Sequence, residues 1–211
     1  MRRRYLQRPP AAIVCILTFL GRRFNASGDY RANGRIGTFL ADHWRDRHEV
    51  LRIGEESDLR AGGDWENLVG EVETVVHLAA VLEEGDQFSS LQDNVDMVLN
   101  VVRAAHNVRR IIYASSMWAI HDLTSLGSRG DYYSASKRAG EAIVRGWSDV
   151  HRRPAVSLRI GKFGPEHLRV PIEHEMLRVD AATLRWWFDK AMAYDEPTHS
   201  AWLAVGRSDH L

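Results

Sequence analysis

Val72-Glu-Thr-Val-Val-His-Leu78 and Arg110-Ile-Ile-Tyr-Ala-Ser115 are two short, β-branched runs, separated by a longer stretch from Asp86 to His106. Such runs have strand character. Between them Leu91, Val95, Val98, Leu99 and Val102 recur at helical spacing, which predicts a helix that buries those five positions. A strand, a helix and a second strand of these lengths make a βαβ unit, whose strands are parallel.

The same alternation extends in both directions. Upstream, Arg35 to Arg47 reads as a helix through Ile36, Phe39, Leu40 and Trp44, and Val50-Leu-Arg-Ile53 as a strand ended by Gly54. Asp64 to Val69 predicts a helical turn. Downstream come a helix over Tyr132 to Trp147, a strand over Ala155 to Ile160, a helix over Ala181 to Ala193 and a strand over Ala201 to Val205. On the last of these helices Leu184, Trp187, Phe188 and Ala191 form an apolar stripe read as core. Right-handed crossovers then give an α/β fold with a doubly wound parallel sheet, Rossmann-like.

The chain has 211 residues, enough for one domain with a real core. Lys+Arg is 28 and Asp+Glu is 28, so there is no basic excess of the kind a nucleic-acid binder shows. The single cysteine, Cys15, excludes an intramolecular disulfide framework and a multi-cysteine zinc site. No metal site is expected. Charge is uneven: residues 1–28 hold six arginines and no acid. The apolar run Ala11-Ala-Ile-Val-Cys-Ile-Leu-Thr-Phe-Leu20 has three readings: a buried first strand over residues 12–19, an extension outside the fold, or a signal or anchor. It is too short for an ordinary membrane-spanning helix.

Three places carry chemistry. Asn33-Gly-Arg-Ile-Gly37 opens the first helix. Gly34 and Gly37 let backbone approach a pyrophosphate at a helix N-terminus, although a plain loop-to-helix turn reads the same way. His77-Leu-Ala-Ala80 ends a strand with small residues, where open α/β sheets bind ligands; close packing is the alternative, with His77 structural. Ser115 and Ser116 end the next strand, and Tyr133 and Lys137 follow at i and i+4 on one helix face. An ammonium near a phenol favours phenolate, which makes the tyrosine a usable general acid/base. The Ser116 hydroxyl can hold a substrate oxygen against that phenol. Only three lysines stand against 25 arginines, which makes the Tyr-to-Lys spacing more telling.

These landmarks, with Gly63-Asp-Trp65, Asn94 and Leu158-Arg-Ile-Gly161, occur in an order that resembles the short-chain dehydrogenase/reductase superfamily. Within it the chain is similar to the extended branch, the NAD-dependent epimerase/dehydratase family, from about Asn33 to about Pro165, with a weaker tail to Leu211. Asn33-Gly-Arg-Ile-Gly37 and Ile112-Tyr-Ala-Ser-Ser116 look most like uronate dehydrogenases and related sugar-oxidising members. The resemblance implies that Gly34, Ile36 and Gly37 line the pyrophosphate and that Asp64 and Trp65 border the adenine. Leu78, Ala79 and Ala80 are to shape the passage to the nicotinamide ribose, and Asn94 is to brace the active-site side of its helix. Ser116, Tyr133 and Lys137 form the implied catalytic trio, Tyr133 and Lys137 also touching cofactor, with Ile160 and Gly161 near the nicotinamide.

The implied function is an NAD(P)-dependent oxidoreductase or epimerase acting on a sugar or sugar nucleotide. The chain departs from the pattern at Arg31, where the family has its first glycine, which motivates a second reading as a non-catalytic dinucleotide-binding protein. At the end of the second strand Gly54 replaces the usual acid, and Glu55 beside it leans toward NAD over NADP. The expected partition is an N-terminal segment over 1–30, a dinucleotide-binding domain over 31–165 and a short substrate-side region over 166–211. A small sugar-type substrate, a cytoplasmic location, no nucleic-acid partner and no membrane complete the expectation. The helices at 86–106 and 132–147 are candidates for a homodimer interface. A third reading, an exported or membrane-associated protein, rests on residues 1–20 alone.

Overall fold

The computed structural model describes residues 12–16, 35–54, 57–81, 87–120, 132–163 and 177–206. Among the described residues six strands and five helices alternate: β1 (Ala12–Ile16), α1 (Arg35–Trp44), β2 (Glu49–Ile53), α2 (Trp65–Gly70), β3 (Thr74–His77), α3 (Gln87–Ala104), β4 (Arg110–Ser116), α4 (Tyr132–His151), β5 (Ala155–Ile160), α5 (Ala181–Ala193) and β6 (His199–Ala204). All five strand pairings are parallel, in the order β2-β1-β3-β4-β5-β6. The doubly wound sheet read from the sequence is therefore the fold. Of the three readings of the first apolar run, the strand is the one observed, and it lies inside the sheet between β2 and β3.

Two apolar clusters cover the two faces. Neighbouring residues alternate between them, as the pleat requires. Val75, Ile111, Tyr113 and Ala155 face α2, α3 and α4, together with Trp65, Val69, Met97, Val101 and Trp147. Val76, Ile112, Ala114, Val156 and Leu158 face the other way, against Leu40 and Trp44 of α1 and Leu184 and Phe188 of α5. The stripe on α5 is core, as expected, with Trp187 at its margin.

One helix face differs from its expectation. The residues of α3 that are buried are Asn94, Met97, Val98, Val101 and Ala104. Leu91, Val95, Leu99 and Val102 are half-buried, so of the five expected positions Val98 alone lies in the core. The helix is apolar on two adjacent faces, and the one chosen is the one that carries Asn94 inward. α4 also runs four residues further than expected. Its last turn buries Trp147 and Ser148, and the Ser148 hydroxyl donates to Arg153 O at 2.7 Å. Arg152 then takes φ 53°, the left-handed turn that commonly ends a helix.

Candidate active site

In a parallel sheet every strand ends on the same rim, and this rim collects the chemistry. His77 ends β3 and Ser116 ends β4. Ser116 is the register partner of Ile160, the last residue of β5. After β1 the chain passes to β2 on one side and later returns to β3 on the other, so the strand order reverses between β1 and β3. Open α/β sheets hold ligands in the crevice at such a reversal. α1 begins at this rim, with Ile36 and a buried Gly37 in its first turn.

Lys137 is buried on α4. Its Nζ donates to Ala114 O, two residues before Ser116, at 2.8 Å. The ammonium lies 5.6 Å from the centroid of the Tyr133 ring and 5.1 Å from that of Tyr113. Burial pulls its pKa down to about 8, opposed by the charge of Glu141. Ser116 is buried, and its Oγ accepts from the backbone N–H of Trp118 at 3.3 Å. That contact uses one of the oxygen's two lone pairs and leaves the hydroxyl proton for another acceptor.

Asn94 closes the far side. Its Oδ1 accepts from Val81 N at 2.7 Å, while Nδ2 donates to Val81 O at 3.1 Å and to Ser136 Oγ at 3.2 Å. The Ser136 hydroxyl in turn donates to Tyr133 O at 2.7 Å. One amide therefore ties the segment after β3 (Leu78, Ala79, Ala80 and Val81) to the first turn of α4. At the end of β5, Gly161 is fixed by close approach: a Cβ there would fall 2.1 Å from Leu177 O. Lys162 N also donates to Leu177 O, at 2.7 Å, which lays the start of the last segment over the strand end.

His77 is fully buried, its ring 5.6 Å from that of Tyr113, and neither ring nitrogen has a hydrogen-bond partner among the described residues. Burial, with the nearby Lys137 charge, lowers its pKa to about 3. It is neutral at ordinary pH, in keeping with a structural histidine. Burial raises the Tyr113 phenol well above its ordinary value. Trp65 lies in the core with its indole N–H donating to Ala61 O, while Asp64 beside it is exposed. Gly34 and Arg31 lie outside the described residues, as do Glu55 and most of the segment from 166 to 180.

Two residues that the sequence did not single out belong here. Glu141 is buried one turn beyond Lys137, where it accepts from Ser115 Oγ at 2.6 Å. Arg159 pairs with it through Nε and Nη2, at 2.9 and 2.7 Å. The signal for Glu141 was the stripe itself: Tyr133, Lys137 and Glu141 recur every four residues on one helix.

Residues 31–177 match the sequence model of the NAD dependent epimerase/dehydratase family. Uronate dehydrogenase of Pseudomonas putida is 29% identical over 160 residues, covering 64% of this chain; the chain spans 60% of that relative's length. Among solved structures, the UDP-N-acetylglucosamine 4-epimerase from Bacillus cereus superposes with a TM-score of 0.71 at 20% identity, over 93% of this chain and 78% of the other. A uronate dehydrogenase variant from Agrobacterium tumefaciens, complexed with NAD, gives 0.66 at 17% identity, over 93% and 77%. The structural likenesses speak for the fold, and the family match covers well over half of the sequence, so this chain belongs to the NAD-dependent epimerase/dehydratase family.

Proposed function

We propose that this protein is an NAD-dependent oxidoreductase or epimerase of a sugar or sugar nucleotide, with Ser116, Tyr133 and Lys137 as its catalytic residues. The observation that carries the reading is the buried ammonium of Lys137. It faces the Tyr133 ring and stands beside the rim where β4 ends. An ammonium has three donors, and one of them goes to Ala114 O. The remaining donors suit the two hydroxyls of a ribose, which is the fit a dinucleotide needs there. Gly37 in the first turn of α1, Leu78 to Ala80 after β3, and Ile160 with Gly161 supply the small and apolar surroundings. Gly34 and the pair Asp64 and Trp65 complete the proposed contacts at the pyrophosphate and the adenine.

NAD, when bound, supplies the hydride acceptor. Tyr133 acts on the substrate hydroxyl: as phenolate it takes the proton when the carbon is oxidised, and as phenol it returns the proton in the reverse direction. Lys137 favours the phenolate by its charge. Ser116 donates to the same substrate oxygen, its own lone pair engaged by Trp118 N. The relatives are named for uronates and UDP-sugars, and these are the substrate classes to try first. A cytoplasmic location and a homodimer through α3 and α4 are part of the proposal, although the mechanism requires neither.

Tyr133→Phe removes the proton-carrying oxygen and little else. Turnover, followed at the reduced-nicotinamide band, should fall by about two to four orders of magnitude. NAD affinity, measured by titration, should stay within a few fold. Full activity in that variant overturns the mechanism. NAD binding by the wild-type chain with no turnover on any uronate or UDP-sugar favours the non-catalytic reading, to which Arg31 at the first glycine position already points.

A further inference from the structure

Glu141 stands on α4 one turn beyond Lys137 and two beyond Tyr133, so the three share a stripe. It is 7% exposed, and both of its oxygens are engaged. Oε1 accepts from Ser115 Oγ and Arg159 Nε, and Oε2 accepts from Arg159 Nη2. Ser115 and Arg159 are register partners across β4 and β5, so they rise from the same face of the sheet and meet one carboxylate. Apolar packing alone can hold a helix on a sheet, and an ion pair that buries its carboxylate, with the arginine half-buried, is a poor way to gain stability. Its position suggests another use. Ser115 lies between Ala114, whose carbonyl accepts from Lys137, and Ser116.

We propose that Glu141 is a positioning residue of the Tyr133–Lys137 site. Through Ser115 and Arg159 it pins the carboxyl end of β4 against α4, and it holds an anion beside Lys137 that keeps the buried ammonium protonated. The inference rests on the function proposed above. Lys137 is faced by Tyr133 and Glu141 from its own helix, by His77 from β3 and by Tyr113 from β4, while Arg159 of β5 is bonded to Glu141. His199 of β6 stands further out, bonded to Ser157 at 2.9 Å and to Arg145 at 3.5 Å, and α3 brings the neutral Asn94. His77 and Tyr113 are neutral at working pH and Tyr133 is an anion only as phenolate, so Glu141 is the carboxylate anion among these groups. Burial lowers Lys137, and Glu141 is the influence that opposes it.

The full chain labelled with 13C at lysine Cε tests this directly, because its three lysines give three resonances. The Lys137 signal is the one missing from Lys137→Gln. In Glu141→Gln its titration midpoint should fall by about one pH unit, while Lys162 and Lys190 stay put. An unmoved Lys137 midpoint overturns the electrostatic role. Ser115→Ala keeps the charge but cuts the tether: it should leave the Lys137 midpoint in place and lower kcat about tenfold, with KM for NAD within about twofold. Wild-type kcat in Ser115→Ala overturns the positioning role, and this variant carries the test if Glu141→Gln does not fold. In Glu141→Gln the alkaline limb of kcat should move down with the lysine midpoint. Should wild type and variants all lack turnover, the proposed function fails while the titration still decides on the Glu141 charge. Should wild type turn over, Tyr133→Phe not, and Glu141→Gln match the wild-type pH profile, the inference alone fails.

Discussion

Lys137 carries its charge to a place where 3% of the residue remains exposed. One carbonyl and two aromatic rings stand in for the lost water. Its pKa, about 8 against an ordinary 10.5, measures the remaining deficit at roughly 3 kcal/mol. Below pH 8 the lysine is protonated in both the folded and the unfolded chain, so the full penalty applies. Between pH 8 and 10.5 the folded lysine releases its proton first, the unfolded chain binds more protons, and stability rises with pH. Lys137→Met should therefore stabilise the protein at pH 7, by about 2 kcal/mol once the bond to Ala114 O is subtracted. The gain should shrink toward pH 10, and turnover should be lost. Thermal melts at pH 7 and pH 10 check both signs; a destabilised variant at pH 7 contradicts the argument. The Tyr133 and Lys137 spacing was legible in the sequence because a helix puts i and i+4 side by side. That Glu141 of the same stripe is buried was not, because a glutamate on a helix usually faces water, and what buries this one is the register of β4 against β5.

The elements themselves were legible almost throughout, because period two and period 3.6 rarely imitate one another over whole segments. Which face of α3 turns inward was not legible. Val95, Leu99 and Val102 make as good an apolar stripe as Met97, Val101 and Ala104, and periodicity cannot choose between adjacent stripes. Asn94 chooses: its amide satisfies both backbone groups of Val81, which a leucine at that position cannot do. The contact of α4 with β4 has a similar hidden determinant. A Cβ on Gly140 would fall 2.3 Å from Tyr113 Oη and 2.5 Å from Cζ. The tyrosine ring is rigid and buried, so the helix must move. Gly140→Ala should cost about 1–3 kcal/mol despite the better helix propensity of alanine. Because the Tyr113 ring flanks the Lys137 ammonium, kcat should fall as well. Denaturant unfolding alongside kinetics tests the pair of effects, and a stabilised variant with normal kcat would show that α4 does not rest on Tyr113 in this way.

At the scale of the molecule, the crevice proposed at the strand reversal depends on where α1 is held, since α1 begins at that rim. α1 and α5 cover the same face of the sheet, one over each half. Asp189 of α5 joins them. It accepts from Trp44 Nε1 at 2.8 Å, lies 2.9 Å from His43 Nε2 and stands 3.4 Å from Arg47. The Trp44 side chain is fully buried, and Asp189 is the acceptor its indole N–H has among the described residues. Leaving such a donor unsatisfied costs about 1–3 kcal/mol. Asp189→Ala should be destabilised by that order, and Asp189→Asn, which keeps an acceptor for Trp44, by distinctly less. If α1 is a wall of the dinucleotide crevice, the loosened helix should also weaken NAD binding severalfold while kcat at saturating NAD holds, since no group of the Tyr133–Lys137 site is touched. Denaturant titration reads the first effect and NAD titration the second. A destabilised Asp189→Ala with unchanged NAD affinity would mean that the first turn of α1 keeps its place without α5, and that the crevice is built by the strand ends alone.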